Sequence, residues 1–165
     1  MNQSSKPSGA VTLANEMAVV QVLRGEALAR GHARAPVALL REPLSFWGGY
    51  DSARGEIVER IHPCFGQSLA GTVTVMPCAK GSSSSSSVLA EAIRNRTGPF
   101  GMVMRERDLI IAIGVIVASD LYGIHVPLVV LGEADFEAIR EPGQLVQIDA
   151  PDDIGEARVT LLKPR

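Results

Sequence analysis

The sequence predicts an α/β domain, and three observations support this fold class. Short apolar segments typical of strands alternate along the chain with segments of helical periodicity. Of the 165 residues, 46% are hydrophobic and only 4% are aromatic, so we expect a core of Val, Ile, Leu and Ala. A chain of this length can bury such a core in one domain. We therefore expect a flexible tail over residues 1–16 and a single domain over residues 17–165.

Strands are expected wherever a short apolar or alternating segment is bounded by turn residues. In one of them Val73 and Val75 fall on the same face, and a proline ends the segment. Residues 42–66 are rich in Gly and Pro, so we expect turns there. The predicted strands are 17–29, 36–40, 68–77, 100–104, 126–132, 144–150 and 156–163.

Two main helices and one short helix are expected between these strands. In residues 88–99 apolar side chains recur at helical spacing until a Gly-Pro pair ends the helix. Residues 107–123 form the second helix with Gly123 at its end, although the β-branched residues at its start leave a strand open there. Residues 133–140 form the short helix. The expected core stripe of the second helix is Ile110, Ile113, Val117 and Leu121.

Charge and hydropathy exclude several classes of partner. Sixteen basic and 18 acidic residues give a net charge of −2, so we expect neither nucleic acid nor a membrane surface as a partner. The most apolar run, residues 109–118, has half of the roughly twenty residues that a membrane span needs. The N-terminal residues lack the apolar segment of a signal peptide. We expect a cytoplasmic protein.

The two cysteines, Cys64 and Cys78, do not form a metal-binding pattern. There is no CxxC pair and no Cys/His cluster, so we expect no metal site on this chain alone. Two thiolates are also too few for an ordinary iron–sulfur cluster. Both residues are expected to be free thiols.

The segment AKGSSSSSSVLAEAIR, residues 79–94, contains six consecutive serines. A serine-rich linker is one interpretation. Its position between a predicted strand and an amphipathic helix favours a turn instead, with Gly81 at the bend and serines in the first helical turn. Free N–H groups and the helix dipole at such a turn attract anions, and Lys80 adds a cation. We expect a pocket for a carboxylate or phosphate at Lys80 to Ser84.

Familiar serine motifs are absent from this segment. Lys80 precedes Gly81, so the segment is not a Walker A loop. The Gly-x-Ser-x-Gly pattern of a nucleophile elbow is also missing. A Ser-His pair with His32, His62 or His125 remains open, because no spacing singles one out.

Four segments carry a resemblance to a known family. They are PLSFWGGYD (43–51), HPCFGQSLAG (62–71), VMPCAKGSSSSSSVLAEAIR (75–94) and IIAIGVIVASDLYG (110–123). In this order they resemble the aconitase X swivel domain, or small subunit, over roughly residues 20–148. The resemblance implies the swivelling β/β/α fold of the mobile domain of aconitase, which agrees with the α/β prediction.

The resemblance also implies a function. Members of this family are hydro-lyases, and their small subunits work with an aconitase-X-type large subunit as a heterodimer or higher assembly. An iron–sulfur cluster in that large subunit would act as a Lewis acid on the leaving hydroxyl. The implied substrate is a small hydroxy carboxylic acid, with cis-3-hydroxy-L-proline expected for bacterial members and phosphomevalonate for archaeal relatives.

Site residues follow from the same resemblance. The first serine after the glycine, Ser82, is taken as the catalytic base, and Lys80, Gly81, Ser83 and Ser84 as substrate-binding residues. The family usually has Gly-Arg where this chain has Ala-Lys, so a bidentate contact to the carboxylate is lost. The alternative is a non-catalytic anion-binding or regulatory module that uses the same pocket.

Overall fold

The computed structural model describes residues 17–165, and the tail expected over residues 1–16 lies outside the described residues. The strands are Met17–Ala29 (β1), Gly31–Leu39 (β2), Tyr50–Asp51 (β3), Glu56–Ile57 (β4), Val73–Met76 (β5), Gly101–Met104 (β6), Leu128–Leu131 (β7), Leu145–Ala150 (β8) and Gly155–Pro164 (β9). The helices are Phe46–Gly49 (α1), Ser85–Arg94 (α2), Leu109–Tyr122 (α3) and Glu133–Phe136 (α4).

Seven strands close into a barrel in the order β1-β7-β6-β5-β2-β8-β9. β2, β5, β6 and β7 pair in parallel, whereas β1, β8 and β9 join the barrel through antiparallel pairs. α2 connects β5 to β6, and α3 connects β6 to β7. Helical crossovers between parallel strands define an α/β arrangement, so the predicted fold class is confirmed.

Alternation along the strands sends side chains into two cores. Val73, Val75 and Val103 are fully buried inside the barrel. Met76 and Met104, one residue out of phase, are fully buried in a second core between the barrel and the helices. Each such side chain contributes about 1.5–3 kcal/mol of hydrophobic stabilisation. The predicted common face of Val73 and Val75 is confirmed.

α2 and α3 pack closely on the outside of the barrel, and Gly114 permits the approach. A Cβ at Gly114 would lie 2.9 Å from the carbonyl oxygen of Ser86 and 3.2 Å from Cδ2 of Leu89. Since Ser86 lies in the first turn of α2, α3 supports the turn in which the serine run becomes a helix.

The predicted core stripe of α3 is wrong in part. The side chains of Ile113 and Leu121 are 51% and 68% exposed. The buried face instead carries Ile111, Val115 and Ala118. α3 is apolar around its whole circumference, so periodicity could not select the face that meets the barrel. Its predicted end is confirmed, because Gly123 adopts φ of +65° and caps the helix.

Several predicted elements are shorter in the structure. The strand expected over 68–77 is confined to Val73–Met76, and the helix expected over 133–140 to Glu133–Phe136. The turn-rich segment 42–66 holds α1 and the small β3–β4 hairpin. α3 begins directly after Asp108, which removes the alternative of a strand at its start. Within residues 17–165, no helix has the length and apolar character needed to cross a bilayer.

Candidate active site

The serine run follows the carboxyl end of β5 and is held there by the segment before α1. Ala79 forms a parallel bridge with Leu44, and the amide of Lys80 donates to the carbonyl of Leu44 at 3.2 Å. These contacts leave the chain positioned to turn sharply at Gly81.

Gly81 allows this turn because no other residue fits there. Its φ is +94°, a conformation that side chains with a Cβ rarely adopt. A Cβ at this position would lie 2.6 Å from Oγ of Ser45. Any other residue at this position would therefore strain the backbone and displace the side chain of Ser45.

The remaining serines form a turn and then the start of α2. The amide of Ser85 donates to the carbonyl of Ser82 at 3.0 Å, and Ser85–Arg94 form the helix. Ser85 is 1% exposed, and its Oγ accepts a hydrogen bond from the amide of Trp47 at 3.1 Å. The predicted strand–turn–helix is confirmed, and the linker interpretation is wrong for this part of the chain.

Ser82 is held by the turn that it begins. Its Oγ accepts a hydrogen bond from the amide of Ser84 at 3.1 Å. The side chain is partly buried at the N-terminal end of α2, where the helix dipole is positive. A backbone N–H directed at an oxygen stabilises negative charge on that oxygen.

A cavity of about 80 Å³ lies beside this turn. Its walls include Lys80, Gly81 and Ser82, three of the five predicted site residues, whereas Ser83 and Ser84 lie outside the wall. The cavity has room for a carboxylate group next to Lys80 and Ser82.

Two cavity residues were missed by sequence reasoning. Ser85 lines the cavity although its hydroxyl is also bonded to Trp47. Asp108 lines it as well, while its Oδ1 accepts hydrogen bonds from the amides of Ile110 and Ile111 at 2.9 and 3.0 Å. An Asp before an apolar helix is a common N-cap, so the sequence offered a signal for the cap but not for the cavity.

Lys80 is already paired. Its Nζ lies 2.6 Å from Oε1 of Glu59, a side chain that is only 17% exposed. The Oε2 atom of Glu59 is buried and has no hydrogen-bond partner among the described residues. The ammonium group is thus held at the cavity wall, and its charge is partly offset there.

The three histidines lie away from the cavity. His62 is buried, its Nδ1 accepts from the amide of Cys64 at 3.0 Å, and its Nε2 lies 3.3 Å from the carbonyl of Glu42. None of the cavity walls is formed by His32, His62 or His125. Among the described residues, a pair between a serine of the run and any of these histidines therefore has no geometric support, and the one serine that contacts His125 is Ser119, outside the run.

The cysteines do not provide a metal site. Cys64 and Cys78 are both free, and burial raises the pKa of each thiol, which favours the protonated form over the thiolate that a metal needs. Across residues 17–165, no three His, Cys, Asp or Glu side chains are grouped to hold a metal ion.

The chain is similar to dehydratases of two kinds. It is 40% identical over 106 residues to the cis-3-hydroxy-L-proline dehydratase of Pseudomonas aeruginosa, covering 64% of this chain and 18% of that protein. It is 34% identical over 125 residues to the phosphomevalonate dehydratase small subunit of Methanothermobacter thermautotrophicus, covering 76% of this chain and 91% of that protein. The chain spans about a fifth of the length of the hydroxyproline dehydratases it matches.

The fold and the family agree with these relatives. The crystal structure of Thermococcus kodakaraensis aconitase X in its holo-form matches with a TM-score of 0.73 at 31% identity, covering 87% of this chain and 99% of that chain. The swivel fold implied by the resemblance is thereby confirmed. The family described as the aconitase X swivel domain matches residues 22–157, which include the serine loop and both main helices. The chain belongs to the aconitase X swivel domain family.

Proposed function

We propose that this chain is the small, swivelling subunit of an aconitase-X-type hydro-lyase and that it works only with a large subunit. Family membership and the dehydratase names of its relatives support the reaction class. The observation that carries the proposal is the position of Ser82, whose Oγ accepts from the Ser84 amide at 3.1 Å in a residue that lines a cavity.

Ser82 acts as the base in this proposal. As an alkoxide, its Oγ takes a proton from the carbon next to the substrate carboxylate, and the electron pair of the broken C–H bond forms the double bond as hydroxide leaves. The departing hydroxide then takes this proton from Oγ, which releases water and restores the alkoxide. A serine is a weak base unless its anion is stabilised. The Ser84 amide and the positive end of α2 supply that stabilisation at a fixed place.

The substrate carboxylate binds to the neighbouring residues of the loop. Lys80 and Gly81 line the cavity next to Ser82. The amide of Ser83 has no acceptor among the described residues, which leaves it for a substrate oxygen. The Ser84 amide is engaged by Ser82, so Ser84, which lies outside the cavity wall, holds the base in place.

The large subunit completes the site. The cavity of about 80 Å³ receives the substrate carboxylate in this proposal, and the large subunit contacts the rest of the substrate. The described residues do not fit an iron–sulfur cluster, because the two thiols are separate and protonated and no third ligand joins them. We therefore assign the cluster and the departure of the hydroxide to the large subunit.

The charges around the cavity favour cis-3-hydroxy-L-proline over a phosphorylated acid. The carboxylate of Asp108 lines the cavity, and Glu59 offsets the charge of Lys80. An amino acid substrate brings a positive amine as well as its carboxylate, whereas phosphomevalonate brings only negative groups. Like charges brought together in a partly buried site are costly.

Co-expression with the aconitase-X-like large subunit from the same genome, under anaerobic conditions, tests the proposal. We expect dehydration of cis-3-hydroxy-L-proline only when both chains are present. Ser82→Ala should lower kcat by about 10²–10⁴-fold while the complex still assembles. Ser87→Ala is the matched control, because Ser87 is exposed on α2 and lies outside the cavity wall.

Other outcomes separate the parts of the proposal. A complex that dehydrates phosphomevalonate but not hydroxyproline would retain the subunit and replace the substrate. A Ser82→Ala complex with a raised KM and an unchanged kcat would assign Ser82 to anion binding instead of catalysis. Failure to form any complex would contradict the subunit role and favour a separate anion-binding module.

A further inference from the structure

A second cavity, of about 200 Å³, lies at the other end of α2 from the serine loop. Its walls come from the end of α2, the start of β2 and the segments that precede β6 and β7. With a helical rise of 1.5 Å per residue, Arg94 at the end of α2 lies about 14 Å along the axis from Ser85, and Arg96 lies just beyond it. The two cavities share no lining residue, so this one is separate from the candidate active site.

Two basic side chains supply the charge of this cavity. Arg34 and Arg96 line it together with His32 and His125, and no acidic residue lines it, although Oδ1 of Asp149 lies 2.6 Å from Nδ1 of His32. Both arginines are exposed, and neither guanidinium makes a hydrogen bond or an ion pair with any residue that the structure describes. The two guanidinium groups are therefore available to pair with an anion.

The two imidazoles are held in place by partners outside the cavity wall. Nδ1 of His32 lies 2.6 Å from Oδ1 of Asp149, and Nδ1 of His125 lies 2.8 Å from Oγ of Ser119. These contacts leave the Nε2 atom of each ring without a partner among the described residues. The rings are therefore oriented in advance, which lowers the entropic cost of binding a ligand.

Arg96 occupies a backbone position that normally favours glycine. Its φ is +62°, and among residues 17–165 it is the one residue other than glycine with a positive φ. The amides of Thr97 and Gly98 both donate to the carbonyl of Ala92 at 2.9 Å, which closes the end of α2 around it. A glycine would satisfy this turn without strain. Compared with a glycine, Arg96 offers this position a guanidinium group, and Arg96 is one of the residues that line the cavity.

An apolar surface completes the cavity. Ile93 is 3% exposed and Phe100 is 49% exposed, and both line the cavity with Ile124. A half-exposed phenyl ring in the same cavity wall as two arginines suits a ligand with an apolar ring, whose carboxylate pairs with an arginine fork. The cavity volume of about 200 Å³ gives such a ligand room.

We propose that this cavity binds a small organic anion, a carboxylate carried on an apolar ring. The site does not depend on the function proposed for Ser82, since the two cavities share no residue. The chain would have this second ligand site whether or not the serine loop is catalytic.

Titration of the nitrogen-15-labelled full chain with benzoate, at constant ionic strength, tests this proposal. We expect saturable changes in the proton–nitrogen spectra at Arg34, Arg96 and Phe100, with a Kd of about 1 mM for a ligand of this size. Benzyl alcohol keeps the ring without the charge, and acetate keeps the charge without the ring. Each should bind about tenfold more weakly or worse than benzoate.

Arg96→Gly is the decisive variant, because it removes the guanidinium and relieves the backbone. We expect an unchanged or raised Tm and about a tenfold or larger loss of benzoate affinity, and a similar loss in Arg34→Gln. Arg60→Gln, an equal change of charge at an exposed position outside the cavity, should leave the affinity within about twofold. Three results would each overturn the proposal. They are equal losses of benzoate affinity in Arg60→Gln and Arg96→Gly, spectral changes confined to the serine loop, and the absence of saturation.

Discussion

The amide of Ser84 donates to Oγ of Ser82 at 3.1 Å, so the proposed base is oriented by the backbone two residues further along. This bond forms inside a single turn and depends on the path of the chain through Gly81. The orientation of the base should therefore be more sensitive to changes in backbone shape than to changes in distant side chains.

Gly81→Ala should damage the loop more than an ordinary glycine replacement does. The new Cβ meets Oγ of Ser45 at 2.6 Å and also forces an alanine to φ of +94°. We expect a loss of about 1–3 kcal/mol in the free energy of unfolding, measured in urea, and a large loss of turnover in the complex. Gly48→Ala isolates the backbone effect, because its φ is +75° and its Cβ meets nothing within 4 Å. Equal stability of the two variants would show that the contact with Ser45 is unimportant.

The Lys80–Glu59 ion pair should stabilise the loop in a way that a double-mutant cycle can measure. Lys80→Met leaves the carboxylate of Glu59, only 17% exposed, without its partner at 2.6 Å. We expect a loss of about 1–2 kcal/mol, between the values for exposed and for buried pairs. Adding Glu59→Gln removes the carboxylate that Lys80→Met leaves unpaired. The double variant should therefore lose less free energy of unfolding than the sum of the losses in the two single variants. Strict additivity would mean that the two side chains do not interact in solution.

Gly114→Ala should destabilise the protein even though alanine is the better helix former. The replacement gains about 1 kcal/mol in helix propensity. The new Cβ would lie 2.9 Å from the Ser86 carbonyl oxygen, a backbone atom that cannot move without shifting the first turn of α2. We expect a net loss of about 1–3 kcal/mol in thermal or urea unfolding. Ile113→Ala, at an exposed position of the same helix, should change stability by less than about 0.5 kcal/mol.

The buried phenol of Tyr50 should make the fold sensitive to alkali. Burial, reinforced by the carboxylates of Asp51 and Glu56, raises the pKa of Tyr50 to about 12. The unfolded chain loses this proton near its ordinary pKa of about 10, so the stabilisation is complete below pH 10 and is lost as the pH rises towards 12. The free energy of unfolding should therefore fall in that window.

Tyr50→Phe tests this alkaline transition. The variant should lose about 1 kcal/mol at neutral pH, because the hydrogen bond from the hydroxyl to the Thr97 carbonyl at 2.6 Å is gone. Between pH 10 and 12 its stability should fall less steeply than that of the parent chain. Tyr122→Phe is the control at an exposed phenol and should follow the parent curve. If the free energy of unfolding fell in parallel for all three proteins between pH 10 and 12, groups other than Tyr50 would cause the loss of stability in alkali.

Predicted and observed elements differ in length where contacts between distant parts of the chain determine the ends of a strand. The strand predicted from the apolar start of residues 17–29 extends over all of Met17–Ala29, and the strand expected at 36–40 spans Gly31–Leu39. The additional residues of the second strand pair with β8, more than a hundred positions further along the chain, from Gly31 opposite Ala150 to Ala35 opposite Val146. Alternation within a short window carries no information about such a partner.

The sequence by itself determined the strand–turn–helix around Ser82 and the end of α3 at Gly123. Both depend on local chemistry, since glycines permit the positive φ at Gly81 and Gly123, and the first amides of α2 donate to backbone carbonyls only three residues earlier. Tertiary structure alone decided which face of the uniformly apolar α3 is buried, that Asp108 lines the cavity, and that Lys80 is paired with Glu59. Those outcomes depend on barrel closure, which brings together residues that are distant in the chain and leave no local pattern to recognise.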